Sequence, residues 1–174
     1  MKNPAEFGMT GKSDGENPIY EVTCGAPSEF TEAELARCIV IIQAGDAVEP
    51  GSAARALPRA KIIAVARKDS EIVGVGTIKR IRVDYARGIA GPKKSGWSFA
   101  PRVPELGYVA VDSQHRHRGL SKRIVAELLR REERLFATTS NEYMKPTLEG
   151  SGFARKGGEW RGRRGDLVSL WIKM

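Results

Sequence analysis

The chain reads as a mixed α/β domain around one sheet. Three observations predict that class. Short apolar stretches with strand periodicity recur along the chain. Segments with apolar residues three or four apart stand between them and suit helices. An apolar stretch at residues 106–111 also passes through a short turn straight into one of those helices.

Taken in order, residues 19–23 alternate apolar and polar and predict a first strand. Thr31 stands three residues before Glu34, a capping box that opens a helix over 32–44 with Leu35, Ile39 and Ile42 along one side and Gly45 as its stop. Residues 53–57 suit a short second helix. A hairpin follows, with strands at 61–67 and 71–81 around the turn Lys68, Asp69, Ser70. Residues 82–104 carry Gly88, Gly91, Pro92, Gly96, Pro101 and Pro104 and are expected to form a long loop. The stretch 106–111 is expected as a buried central strand. Residues 119–135 place Leu120, Ile124, Leu128 and Leu135 on one helical face. A strand at 136–139, a helix over 141–150 and closing strands at 153–156 and 167–172 complete the order. The basic run Arg161, Arg163, Arg164 falls in the last hairpin loop.

Composition narrows the function classes. Of 174 residues, 41% are hydrophobic and 29% charged, as in a globular protein. The 29 basic and 21 acidic residues leave a formal charge of +8, which favours anionic partners such as nucleotide cofactors, nucleic acid or acidic surfaces. Cys24, Cys38, His115 and His117 show no metal-site spacing, so no metal is expected and the thiols are read as reduced. No apolar run has the length of a membrane span. Residues 1–18 lack the apolar core of a signal peptide and read as a disordered tail before a single domain at 19–174. The expected location is the cytoplasm.

The chemistry concentrates in residues 105–124. A strand ends at Val111 and a turn carries Arg116, His117, Arg118 and Gly119. A helix then opens with Leu120 and Ser121. The first amides of a helix have no intrahelical acceptor and sit at its positive end. A glycine lets a ligand approach them, so the corner suits a pyrophosphate, with Arg116 and Arg118 at its rim. Asp112 and Gln114 are read as shaping the turn.

This segment resembles the central motif of the GNAT superfamily of acyl-CoA-dependent N-acyltransferases: a strand ending in valine, four residues, then Gln/Arg-x-x-Gly-x-Gly/Ala. Here Val111 is followed by four residues and then by Arg116, Gly119 and Ser121, with serine at the last small position. The family's downstream Asn, with a Gly-Phe pair eleven residues on, is matched by Asn141 and Gly152-Phe153. The resemblance implies a GNAT-like fold, with a mixed, mostly antiparallel sheet of six to seven strands splayed between the fourth and fifth and about four flanking helices. It implies acetyl-CoA as cofactor. Backbone groups of Val109, Ala110 and Val111 would bind the pantetheine, amides of residues 116–121 the pyrophosphate, and Asn141 the pantetheine or thiol end. An amide near Val111 would stabilise an oxyanion.

By the same resemblance, Glu105 would be the general base, set beside an apolar cleft. The family's usual proton-donating Tyr, four residues before Gly-Phe, is Leu148 here, which leaves Tyr143 as the candidate acid, with Ser140 and Tyr108 nearby. The reading is an N-acetyltransferase acting on an anionic, amine-bearing acceptor by direct attack. Its alternatives are a nucleic-acid-directed enzyme, acting on a DNA base or aminoacyl-tRNA, and a silent acyl-CoA or nucleic-acid binding module. The motive for nucleic acid is the interleaving of Trp97 and Phe99 with the basic residues of 79–104. A homodimer is compatible with all of these readings.

Overall fold

The computed structural model describes residues 18–45, 48, 49 and 51–174. The tail read at residues 1–18 therefore lies outside the described residues except for Pro18. Strand β1 (Glu21–Gly25) leads into helix α1 (Glu32–Ala44), then α2 (Ser52–Ala56). The hairpin is β2 (Ile62–Lys68) and β3 (Glu71–Ile78), followed by α3 (Val83–Ala90). Strand β4 (Leu106–Val111) precedes α4 (Leu120–Leu129). Strand β5 (Leu135–Thr139), helix α5 (Met144–Gly150) and the closing hairpin of β6 (Ala154–Arg161) and β7 (Leu167–Lys173) end the chain.

The seven strands form two antiparallel groups, β1-β2-β3-β4 and β5-β7-β6. They meet where β4 begins: Glu105 and Phe136 make one isolated parallel bridge, and the Phe136 N–H donates to the Pro104 carbonyl at 3.1 Å. Beyond that bridge β4 and β5 part, which is the splay the resemblance implied.

Two cores hold the β1–β4 group from opposite faces. Ile124, Val125 and Leu128 of α4 pack with Ala64, Ala66 and Val73 on one side. Cys38, Ile41 and Ile42 of α1 pack with Ile63, Val65 and Val75 on the other. The alternation along β2 follows from the two-residue side-chain period of a strand. In β3 a bulge at Val73, between Ile72 and Gly74 in the pairing with β2, puts Val73 and Val75 on opposite faces. Gly74 and Gly76 let α4 lie close: a Cβ on Gly76 would stand 2.5 Å from Ile124 Cγ2. A third core under α3 joins Ala86 and Ile89 to Phe136 and Leu170, with the Phe99 ring tilted 52° against Phe136 at 5.1 Å between centroids.

Several expectations need correction. The long loop at 82–104 contains α3, formed because Tyr85, Ala86 and Ile89 pack on the β5–β7 strands. The helix expected to reach residue 135 stops at Leu129, and Leu135 is the buried first residue of β5. The strand expected to run to residue 81 ends at Ile78, and the one expected at 153–156 continues to Arg161. Of β4 only Leu106 is buried, because the rest of the strand faces the cleft that the splay opens.

Candidate functional site

A cavity of about 940 Å³ occupies the parting between β4 and β5. Its walls include β4 throughout, Ala137, Thr138 and Thr139 of β5, the turn before α4, and Gly45, Val48 and Glu49 between α1 and α2. Both faces of β4 border it. Val109 and Val111 lean toward the α4 core, and Tyr108 and Ala110 toward the α1 core.

At one end stands the N-terminus of α4. Gly119 is its N-cap, in the left-handed region at φ 71°, and no side chain caps the helix. The ladder opens with the Arg123 N–H donating to the Gly119 carbonyl at 3.1 Å. A Cβ on Gly119 would meet nothing within 4 Å, so space lies in front of the amides. His117 is also left-handed, at φ 62°, which turns the chain sharply between Arg116 and Arg118. His117, Gly119, Leu120, Ser121 and Lys122 all border the cavity. This uncapped, positively polarised corner fits a diphosphate.

Neighbouring contacts fix the turn. Asp112 accepts from the Gln114 amide at 3.0 Å and from Arg37 Nη2 at 2.7 Å. Those bonds, the backbone one foremost, hold its carboxyl below the usual carboxylate range. His115 Nδ1 pairs with the Tyr20 hydroxyl at 2.9 Å, which accounts for this histidine structurally. Arg116 folds back, its Nε donating to the Val111 carbonyl at 3.3 Å.

Midway along β4 the ladder is interrupted. Ala110 pairs with Val75 and Gly107 with Thr77, so Tyr108 and Val109 together stand opposite Gly76. Tyr108 is at φ 52° in this bulge. Buried Thr77 supports it by donating its hydroxyl to the Gly107 carbonyl at 2.9 Å. The Tyr108 hydroxyl is 3.2 Å from Ser52 Oγ, and Lys79 Nζ lies 4.6 Å from its ring centroid.

The end away from α4 holds Glu105, at the bridge where the strands part. It is 5% exposed, and each carboxylate oxygen is taken by a cation. Lys79 Nζ donates to Oε1 at 3.0 Å and Arg82 Nη2 to Oε2 at 2.9 Å. The expected carboxylate beside an apolar cleft is thus a caged ion pair, because β3 and the approach to α3 deliver two cations to it. Beside it, burial pushes the Tyr85 phenol up, and the Glu105 charge adds to that shift.

The other sequence candidates lie on the rim. Tyr143 borders the cavity but is 82% exposed, so this candidate acid is open to solvent. Asn141 also borders it, and its Oδ1 accepts from the Tyr143 N–H at 2.8 Å. Leu148, in the position of the usual tyrosine, is buried in the α4–α5 core and reaches the cavity wall. Sequence reasoning missed Ser52, Tyr85 and the Glu49–Arg163 pair, 3.6 Å across, which all border the cavity. No spacing links these segments; the fold alone gathers them.

A sheet that parts over a cleft ending on an uncapped helix defines the class of acyl-CoA N-acyltransferases, and solved structures share this fold. An acyl-CoA N-acyltransferase from Pseudomonas aeruginosa aligns at a TM-score of 0.66 and 13% identity, over 90% of this chain and 100% of that one. A GNAT-family acetyltransferase from Streptococcus agalactiae gives 0.64 and 15%, over 91% and 99%. The diaminobutyrate acetyltransferase EctA from Paenibacillus lautus, solved with L-2,4-diaminobutyric acid and coenzyme A, gives 0.62 and 14%, over 90% and 96%. No curated protein sequence matches the chain. Residues 29–153 match the model of the Acetyltransferase (GNAT) family, and the chain belongs to that family. Its cofactor is accordingly acetyl-CoA.

Proposed function

We propose that the protein transfers an acetyl or other short acyl group from CoA to a primary amine, by direct attack with both substrates bound. The observation that carries this reading is the cavity running from the uncapped α4 terminus to the apex of the β4–β5 splay. In this reading the amides of residues 116–121 hold the pyrophosphate, with Arg116 and Arg118 adding charge. The edges of Val109, Ala110 and Val111 hold the pantetheine as an added strand would be held. Asn141 closes over the thiol end.

Acetyl-CoA, when bound, supplies an activated thioester. The chain's part is to orient it and bring the amine to it, which lowers the entropic cost of reaction. The bulge takes Tyr108 and Val109 out of the regular ladder, while Ala110 and Val111 stay paired with β3. In this reading a β4 amide beside that break is the donor for the carbonyl oxygen as charge develops. A covalent acyl-enzyme is disfavoured: burial pushes both thiols, Cys24 and Cys38, up to about 11. The family resemblance implies proton transfer by Glu105, with Tyr143 the candidate acid. With both Glu105 oxygens held by cations and Tyr143 in solvent, water is the better proton acceptor in this reading.

Titration calorimetry with acetyl-CoA, beside thiol release on a panel of primary amines, tests the proposal. Saturable binding with amine-dependent thiol release is the expected result. Binding without release on any amine would instead support the silent binding module. One observation favours the nucleic-acid reading: Trp97 is 44% exposed, with Lys156 Nζ 5.0 Å from its ring centroid. A steep loss of acceptor affinity with added salt would point that way.

A further inference from the structure

The cation cage around Glu105 has an asymmetry that bears on the acceptor, given the transfer reading above. Lys79, Glu105 and Arg82 together carry a net charge of +1, in a pocket where Glu105 is nearly inaccessible. Lys79 borders the cavity, and its side chain is 21% exposed. Its stem lies across Gly107, where a Cβ would collide with it, and that contact holds the ammonium over Tyr108. An ammonium has three donors, and Glu105 uses one. In the Ser52–Tyr108 pair one hydroxyl donates to the other, so one O–H remains available as a donor, and both residues border the cavity. The other cation bordering this wall, Arg163, is already matched by Glu49.

Position separates this group from the cofactor corner. Glu105 and Val111 stand at opposite ends of β4, about 20 Å apart by strand rise. Tyr108 and Ser52 lie on the α1 side of the strand, away from α4. The two positive ends of the cleft therefore face different ligands.

We propose that Lys79, with the Ser52–Tyr108 hydroxyl pair, binds the carboxylate of the acceptor, so that the substrate is a small amine bearing a free carboxylate, of the amino-acid class. Glu105 is a positioning residue here. It fixes the Lys79 ammonium beside the cleft and is itself neutralised by Arg82. The carboxylate displaces water from donors that are already oriented, and a substrate lacking it leaves those donors unmatched. Recognition by placed donors discriminates far more strongly than shape alone.

The test is a set of matched pairs: amino acids and their primary amides, with aminoalkyl phosphates as a third arm. Each is assayed by thiol release with the full chain and with Lys79→Met and Lys79→Arg. Acetyl-CoA affinity, measured alongside, checks that each variant is folded. The expected result is a preference of at least about tenfold in kcat/KM for acid over amide. That preference should collapse toward one in Lys79→Met, chiefly through KM, and return in part in Lys79→Arg. Equal turnover of acid and amide, or a preference that survives Lys79→Met, would overturn the subsite and leave the transfer reading standing. Preference for the phosphate arm would do the same. Acetyl-CoA binding without turnover of any arm would overturn both.

Discussion

Glu105 and Phe136 form the one parallel bridge among the described residues, at the point where β4 and β5 part, and the cleft exists because that ladder stops there. Everything the cavity can hold is registered against this apex. The α4 amides stand one strand length away on one side, and Lys79, Tyr108 and Ser52 stand beside it on the other. The predictions below take this arrangement apart one contact at a time.

Gly119→Leu should cost acetyl-CoA affinity at least about tenfold by calorimetry, because the new side chain fills the space in front of the amides. The left-handed backbone adds strain of about 1–2 kcal/mol, a drop of a few degrees in Tm. Lost affinity in a chain that still melts cooperatively, only a few degrees lower, is the expected pattern.

Gly76→Ala should destabilise the fold by about 1–3 kcal/mol in denaturant melts, since the added methyl runs into Ile124 and Leu128 of α4. Displacing α4 moves the anion corner with it. Acetyl-CoA affinity should therefore fall although the substitution is far from the cofactor corner.

Glu105→Gln separates a positioning carboxylate from a base. As a positioning residue its loss should raise the acceptor KM and lower kcat/KM evenly across pH, because Lys79 is no longer fixed. A change confined to the acidic limb of the pH–rate profile would return Glu105 to the role of base.

Asp112→Ala should cost about 1–3 kcal/mol at neutral pH, because Arg37 and the Gln114 amide both lose a charged acceptor. The folded carboxyl is held below its ordinary value, so this stability is present above the unfolded pKa, near 4, and is lost as pH falls through the lower folded value. Denaturant melts of parent and variant should converge in acid.

Cys24→Ser and Cys38→Ser should leave acyl transfer intact. Intact-mass spectrometry during turnover should find no acylated protein, since neither thiol is a ready nucleophile.

Local chemistry made some elements legible in sequence. Helix α1 begins and ends where the Thr31–Glu34 box and Gly45 place it, and both reciprocal bonds of that box are formed, at 2.9 and 3.1 Å. The strand–turn–helix segment was readable because every part of it is contiguous. Helix α3 was hidden: Arg82 makes no side-chain cap, and its stability comes from Tyr85, Ala86 and Ile89 meeting residues as far along the chain as Leu170 and Ile172. The end of α4 was misjudged because Leu135 keeps helical phase with Leu128 although the chain has already turned into β5. The cation cage was beyond reach for the same reason as α3, since Lys79 and Arg82 lie 26 and 23 residues before Glu105.

The most direct measurement is a crystal structure of the chain grown with coenzyme A. The account predicts the diphosphate against the backbone amides of residues 116–121 and the pantetheine along Val109–Val111, its thiol directed to the bridge of Glu105 and Phe136. A nucleotide bound elsewhere, with that corner filled by the side chains of Arg116 or His117, would contradict it.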